Sequence, residues 1–246
     1  MRALLLFILA VAVNTQIVSP GQSLLGRIKA RAGENLRRLP NYTCTESIER
    51  SLRPGRKGPL RPKDTVRLNV AYVGGKELFG LPGAGRVDQP DLSKLVDGPI
   101  GNGQFAVVVR SIFLEQGATF SHSSKTKLDG KQAFRFDYAM PLAHSGFSIK
   151  SSVGEAIVGY SGSFWVTAET LDLMRLVVSA DGLPRRLGMA SGIATTDCGF
   201  VSIGGSPFLL PARSIPAGKD VFGAEIRNVI TFENRREFVG ESVLKF

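Results

Sequence analysis

The sequence predicts a mainly β, antiparallel single domain with a few helices. Three observations carry this. Apolar residues alternate with period two through most of the chain, Gly-Gly and Asp-Gly pairs punctuate it at short intervals, and helical periodicity is confined to one N-terminal and two mid-chain segments. Connections this short favour neighbouring antiparallel strands. No repeat, low-complexity tract or linker divides residues 20–246, so they read as one domain. A chain of that length buries about 70% of its unfolded surface, enough for a core without staples.

The elements follow in order. Gln22 or Ser23 can cap a helix whose apolar positions Leu25, Ile28, Ala32, Leu36 and Leu39 recur at three to four residues, with Arg27, Lys29, Arg31 and Arg38 on the other face. Pro40 ends it. Tyr42 to Arg50 reads as a strand, Ser51 to Lys63 (SLRPGRKGPLRPK) as a loop, and Asp64 to Val73 as a second strand with Val66, Leu68, Val70 and Tyr72 on one face. Gly74-Gly75 is a hairpin signal leading into Lys76 to Phe79. Glycine-rich loops at Gly80 to Arg86 and Gly98 to Gly103 surround two helical stretches, Asp91 to Val96 and Gln104 to Leu114. The second carries the stripe Phe105, Val108, Val109, Ile112 and Phe113. Alternation then resumes, with strands expected at Thr119–Lys127, Gln132–Met140, Gly146–Ser151, Ala156–Tyr160, Ser163–Ala168, Leu171–Ala180, Met189–Ile203, Pro207–Pro211, Glu225–Glu233 and Arg236–Lys245. Turns fall at Asp129-Gly130, Ser161-Gly162, Glu169-Thr170 and Asp181-Gly182.

The N-terminus predicts export to the periplasm or beyond. Arg2, the apolar run Ala3 to Val13 and the small pair Ala10 and Ala12 before Asn14 form a signal peptide over residues 1–19, with cleavage between 12 and 21. The run is well short of the roughly 20 residues that span a bilayer. Export makes Cys44 and Cys198, the two cysteines present, either one disulfide or two buried free thiols. A bridge over so long a loop would stabilise by about 4 to 5 kcal/mol in the chain-entropy model.

The net charge of +10 is concentrated: Arg27 to Lys63 holds eleven Lys or Arg against three Glu. Arg50, Arg53, Arg56, Lys57, Arg61 and Lys63 therefore form either a contact for an anionic membrane surface or lipid head group, or a solvated loop. Nucleic acid is excluded as a partner, because no aromatic residues are interleaved with these cations and the chain is exported.

No catalytic, cofactor or metal motif appears. Gly159-Tyr-Ser-Gly-Ser163 lacks the last glycine of a nucleophile elbow and reads as a hairpin turn. The glycines at 98, 101 and 103 lack phosphate-loop spacing. His122 and His144 have no ligand or base partner at useful spacing. Carboxylate pairs such as Glu46 with Glu49, or Glu233 with Glu237, can assemble in space as a glycosidase needs, but nothing sets them apart from strand salt bridges. The strand Phe134-Arg-Phe-Asp-Tyr138 is more informative. It places Phe134, Phe136 and Tyr138 on one face, either lining an apolar cavity with Val66, Leu68, Val70 and Tyr72 or packing a core with them.

The order of elements, with the stretch Gly162-Ser-Phe-Trp-Val-Thr-Ala-Glu-Thr-Leu-Asp-Leu-Met-Arg-Leu176, resembles the periplasmic outer-membrane lipoprotein-sorting superfamily. Leu39-Pro-Asn-Tyr-Thr-Cys44, Phe208-Leu-Leu-Pro211, Arg227-Asn228 and Arg236-Glu-Phe-Val-Gly-Glu-Ser242 are similar to uncharacterised exported proteins of acidobacterial type. The first resemblance implies an open antiparallel half-barrel closed by the N-terminal and mid-chain helices, holding lipid or lipoprotein acyl chains on its concave face. The second implies no activity. In that type a cysteine precedes the Arg-Glu-Phe motif, where Arg235 stands here, and this bears against the Cys44 to Cys198 pairing. The combined expectation is an exported, non-enzymatic protein that binds a hydrophobic or lipid-like ligand. The alternatives are a structural or partner-binding envelope protein docking through its basic N-terminal region, and a hydrolase assembled from distant residues.

Overall fold

The computed structural model describes residues 20–98, 105–151 and 153–238. The expected signal peptide, the glycines at 101 and 103 and the end of the last expected strand lie outside these residues. Among the described residues no helix is long and apolar enough to cross a membrane.

Helix α1 (Pro20–Arg38) starts slightly before its expected caps, with Pro20 in the first-turn position that tolerates a missing N–H. Ile28 and Leu36 enter the core, and Arg27, Arg37 and Arg38 face solvent. Strands β1 (Tyr42–Arg53), β2 (Arg61–Val73) and β3 (Lys76–Gly80) form the expected meander. Gly74 and Gly75 both have positive φ, 58° and 83°, as a tight hairpin requires. Helix α2 (Phe105–Phe113) appears as expected, whereas Asp91 to Val96 yields only a 3-10 turn at Leu92–Lys94 capped by Asp91. There follow β4 (Thr119–Leu128), β5 (Lys131–Met140), β6 (Ser148–Ser151), β7 (Gly154–Ile157), β8 (Gly159–Thr167), β9 (Leu173–Asp181), β10 (Met189–Ile203), β11 (Ser206–Asp220) and β12 (Glu225–Glu237).

Among the described residues one antiparallel sheet of ten strands runs in the order β3-β2-β1-β12-β11-β10-β9-β8-β5-β4, with β6 and β7 a separate hairpin. The sheet does not close on itself. It is an open half-barrel whose inner face is covered by α1 and α2. Side chains from both helices and from strands across the whole sheet meet in a single core there. At its centre Phe164 of β8, fully buried, stacks on Phe136 at 5.4 Å and meets Phe113 of α2 edge-on at 4.9 Å.

Several elements differ from expectation for identifiable reasons. The basic loop is shorter than Ser51 to Lys63, because β1 continues to Arg53 and β2 begins at Arg61. Pro62 fits beside a register shift, on a stretch of β2 that β3 does not reach. Ser161-Gly162 is not a turn but the middle of β8. A Cβ at Gly162 would collide with the Val177 carbonyl oxygen, to which the Tyr138 hydroxyl donates at 2.9 Å across the glycine. The two C-terminal strands are one: Asn234 takes φ +54° where the β1 ladder shifts register, so the irregularity is absorbed as a bulge. Strand β11 runs past Pro211, which sits at a register shift against β10.

Cys44 and Cys198 are free thiols, the first buried and the second partly so. They lie on β1 and β10, with β12 and β11 between them. Three strand spacings amount to about 14 Å, and a bridge needs Cα atoms within about 7 Å. The sheet order excludes the disulfide alternative.

Candidate ligand site on the inner face

The two helices are held over the sheet in different ways. From α1, Arg31 Nε donates to Asp172 Oδ1 at 2.7 Å and Asn35 Nδ2 to the same oxygen at 3.0 Å, at the turn between β8 and β9. Asp172 is 4% exposed. Burial alone would raise its pKa, but the hydrogen bonds from Arg31, Thr170 and Asn35 hold it below the usual carboxylate range. Among the described residues helix α2 makes no such ion pair. Its sequence, Phe-Ala-Val-Val-Val-Arg-Ser-Ile-Phe, contains three consecutive valines, which are poor helix formers, so packing rather than propensity keeps it helical. Ser111 Oγ on its inner side accepts from the buried Tyr160 hydroxyl at 3.1 Å. Val107 stays 51% exposed on its outer side.

Phe105, the first residue of α2, separates two gaps in the core. Each is about 20 Å³, room for about one water. The first lies between α1, α2 and the sheet, and is lined by apolar residues such as Ile28, Leu36, Val109 and Leu173. The second is polar, and the sheet itself explains it. The recorded pairs of β11 with β12 run from Arg213 opposite Thr231 to Lys219 opposite Glu225, so Pro211 and Arg235 lie beyond the paired section. Arg235 spans that opening: its Nη2 donates to the Pro211 carbonyl and its guanidinium lies 5.3 Å from the Phe232 ring centre. Burial depresses its pKa.

Facing Arg235 across this gap are Cys44 and Glu46 of β1 and Glu77 of β3. Glu46 is 3% exposed, and its Oε1 atom meets no hydrogen-bond partner. Burial raises its carboxyl to about 7. Burial, and then the neighbouring Glu46, raises Glu77 to about 8. Both acids are therefore largely protonated just below neutral pH. Burial also pushes the Cys44 thiol up to about 12, which makes it unreactive.

The apolar residues expected at a ligand face are all in the core. Leu68, Val70, Tyr72, Phe136 and Tyr138 are buried, and Val66 and Phe134 are partly buried. They form two groups toward opposite edges of the sheet, on β2 and β5, and Val70 borders the polar gap. The sequence reading missed Glu77 and Arg235, and paired Glu46 with Glu49, which points to the opposite face and is exposed. A usable signal was present, because Tyr42, Cys44, Glu46, Ile48 and Arg50 share one side of β1 by strand period. An acid in the middle of such a face has no obvious structural use. Leu39, Tyr42 and Cys44, Leu210 and Pro211, and Arg235 come together at this gap from three distant stretches of the chain.

The basic set is not one surface. Arg50 is buried and donates to Asp64 through Nε and Nη2, both at 2.5 Å, and to the Asp97 carbonyl. Arg53 pairs with Glu225. Arg56, Lys57, Arg61 and Lys63 remain exposed. His122 lies on β4 where the ladder with β5 shifts register, and His144 is exposed. Among the described residues, no three or more His, Cys, Asp or Glu gather as a metal site.

Known protein families and curated proteins offer no match to this chain. Among solved structures, a LolA superfamily protein from Nitrosomonas europaea is 13% identical, covering 87% of this chain and 93% of that one at a TM-score of 0.44. A DUF1329 family protein from Desulfovibrio piger is 14% identical over 89% and 94%, at 0.43. The lipoprotein LppX of Mycobacterium tuberculosis is 11% identical over 89% and 97%, at 0.28. Superpositions this loose establish neither a common fold nor a common function.

Proposed function

We propose that this protein is an exported, non-enzymatic binder of a hydrophobic or lipid-like ligand on the inner face of its half-barrel. The observation that carries this reading is the buried Glu46 Oε1, which meets no hydrogen-bond partner in the gap it shares with Glu77 and Arg235, beside a helix that is weakly determined by its own sequence. Leaving a buried polar atom unsatisfied costs about 1 to 3 kcal/mol. A ligand with an apolar chain and a hydrogen-bond donor at its polar end would remove that cost. The chain would displace Phe105 and α2, joining the two gaps into a groove, and the donor would reach Glu46.

The Glu46 and Glu77 pair does not favour hydrolysis. Acid-base chemistry needs two carboxyls with separated pKa values, and burial raises both of these.

Titration with a long-chain monoacylglycerol and with the methyl ester of the same chain, followed by native mass spectrometry, tests the reading. The monoacylglycerol should bind one to one and more tightly than the ester, which has no donor. Glu46→Leu should remove that difference, and Phe105→Ala should strengthen binding of both. The absence of bound ligand in the wild type and in Phe105→Ala would overturn the proposal.

A further inference from the structure

At the end of the sheet where β11 turns into β12, Phe222 is 80% exposed, the most exposed large hydrophobic residue among those described, and Val221 beside it is 45% exposed. The turn that presents them is locked. Asp220 Oδ1 accepts from the backbone N–H of Phe222 at 2.9 Å and of Ala224 at 2.8 Å, and Gly223 takes φ +92°. The Val221 N–H also donates to the Gly188 carbonyl at 2.9 Å. These rings and methyls are thus held outward by the backbone, not left there by a loose loop.

Cations flank them on both sides. The β1–β2 hairpin brings Arg56 against Gly223 and Lys57 next to it in sequence, and the 3-10 turn ending at Gly188 brings Arg185 and Arg186. All four are exposed, and none has an ion pair among the described residues. Of the acids on this turn, Glu225 pairs with Arg53 and Lys219 and Asp220 caps the turn, while Asp181 and Glu155 stand exposed on the Arg185 side. A single exposed apolar residue is ordinary. A rigid aromatic tip between two unpaired cationic pairs is the pattern of a surface that enters the interfacial layer of a membrane while its cations meet anionic head groups.

We infer that this end of the half-barrel docks on an anionic lipid bilayer, with Phe222 and Val221 entering the interface and Arg56, Lys57, Arg185 and Arg186 contacting head groups. The inference does not rest on ligand binding at the inner face. It also relocates the membrane contact from the N-terminal basic segment alone to a surface assembled from three separate turns.

Vesicle flotation with the full chain tests this, comparing phosphatidylcholine alone with phosphatidylcholine mixed with phosphatidylglycerol. All variants share the same N-terminus, so differences between them belong to the substitutions. The wild type should bind the mixed vesicles at low salt and release them at about 0.5 M salt. Phe222→Ser, Arg56→Glu with Lys57→Glu, and Arg185→Glu with Arg186→Glu should each weaken partitioning by at least about tenfold. Unchanged melting temperatures would show that these surface variants fold. Phe222→Trp should add a blue-shifted emission on mixed vesicles that brominated lipid quenches. Equal binding to both vesicle types, or retention that none of these changes affects, overturns the inference. Failure on vesicles with capture of an acidic soluble protein through Phe222 would assign the surface to a protein partner instead.

Discussion

Glu46 gives the domain a stability that falls as pH rises through the range where most proteins are steady. Its carboxyl titrates near 7 in the folded state and near 4.5 when unfolded. Below the unfolded value both states are protonated and the residue contributes nothing to the balance. Between the two the folded state holds the extra proton, so raising the pH favours unfolding, and above about 7 the full penalty applies. A shift of this size corresponds to about 3 kcal/mol. Urea unfolding of Glu46→Gln should therefore match wild type near pH 4 and exceed it by about 3 kcal/mol near pH 8; a gap that does not change with pH would mean that the carboxyl is not buried as charge. Glu77 adds to the wild-type slope in the same sense. At this scale the sequence is legible where period two applies, as for the inward face of β1. It is illegible where spatial neighbours decide. Nothing local tells that Arg235 reaches Pro211, or that Gly162 is there to admit a carbonyl oxygen from the next strand.

Among the elements, α1 is pinned and α2 is not. Asp172→Ala removes one partner of Arg31 and the partner of Asn35, and because Arg31 is partly exposed and keeps Glu34 at 2.9 Å, the loss destabilises by about 1 to 3 kcal/mol. Asp172 is depressed below its unfolded pKa, so its contribution is present above that value and is lost as pH falls through the folded pKa. The deficit of Asp172→Ala should accordingly be full at neutral pH and shrink in strong acid, as chemical unfolding at both ends of the range would show. Strands and hairpins whose turns need positive φ, such as Gly74-Gly75 and Asp129-Gly130, are readable because their chemistry is local. The extensions of β2 through Pro62 and of β11 through Pro211 are not. Each proline is tolerated by a register shift or a missing neighbour, which only the assembled sheet defines.

For the whole molecule, the sheet order joins distant parts of the chain. Strand β1 pairs with β12 along its length, and Arg53 meets Glu225 across 172 residues. Pairings this distant make folding slow, because loop closure precedes any gain from contact. The two open edges are guarded differently. Strand β4 presents Lys125 and Lys127 and an interrupted register, while β3 is short and partly covered by the bridge of Phe79 to Gln89. The mainly β, antiparallel class was legible from alternation and short turns, but the strand order was not, since no local pattern records which strand the last one joins.

That order also decides how the domain relates to its surroundings chemically. With Cys44 and Cys198 held apart by two intervening strands, the native state contains no bond that an oxidant must make or a reductant can break. Folding is then indifferent to the thiol-disulfide poise of the compartment, and no isomerase is required to correct a mispaired bridge. Thermal unfolding with and without excess dithiothreitol should coincide; a lower melting temperature in the reductant would reveal a bridge that this strand order forbids.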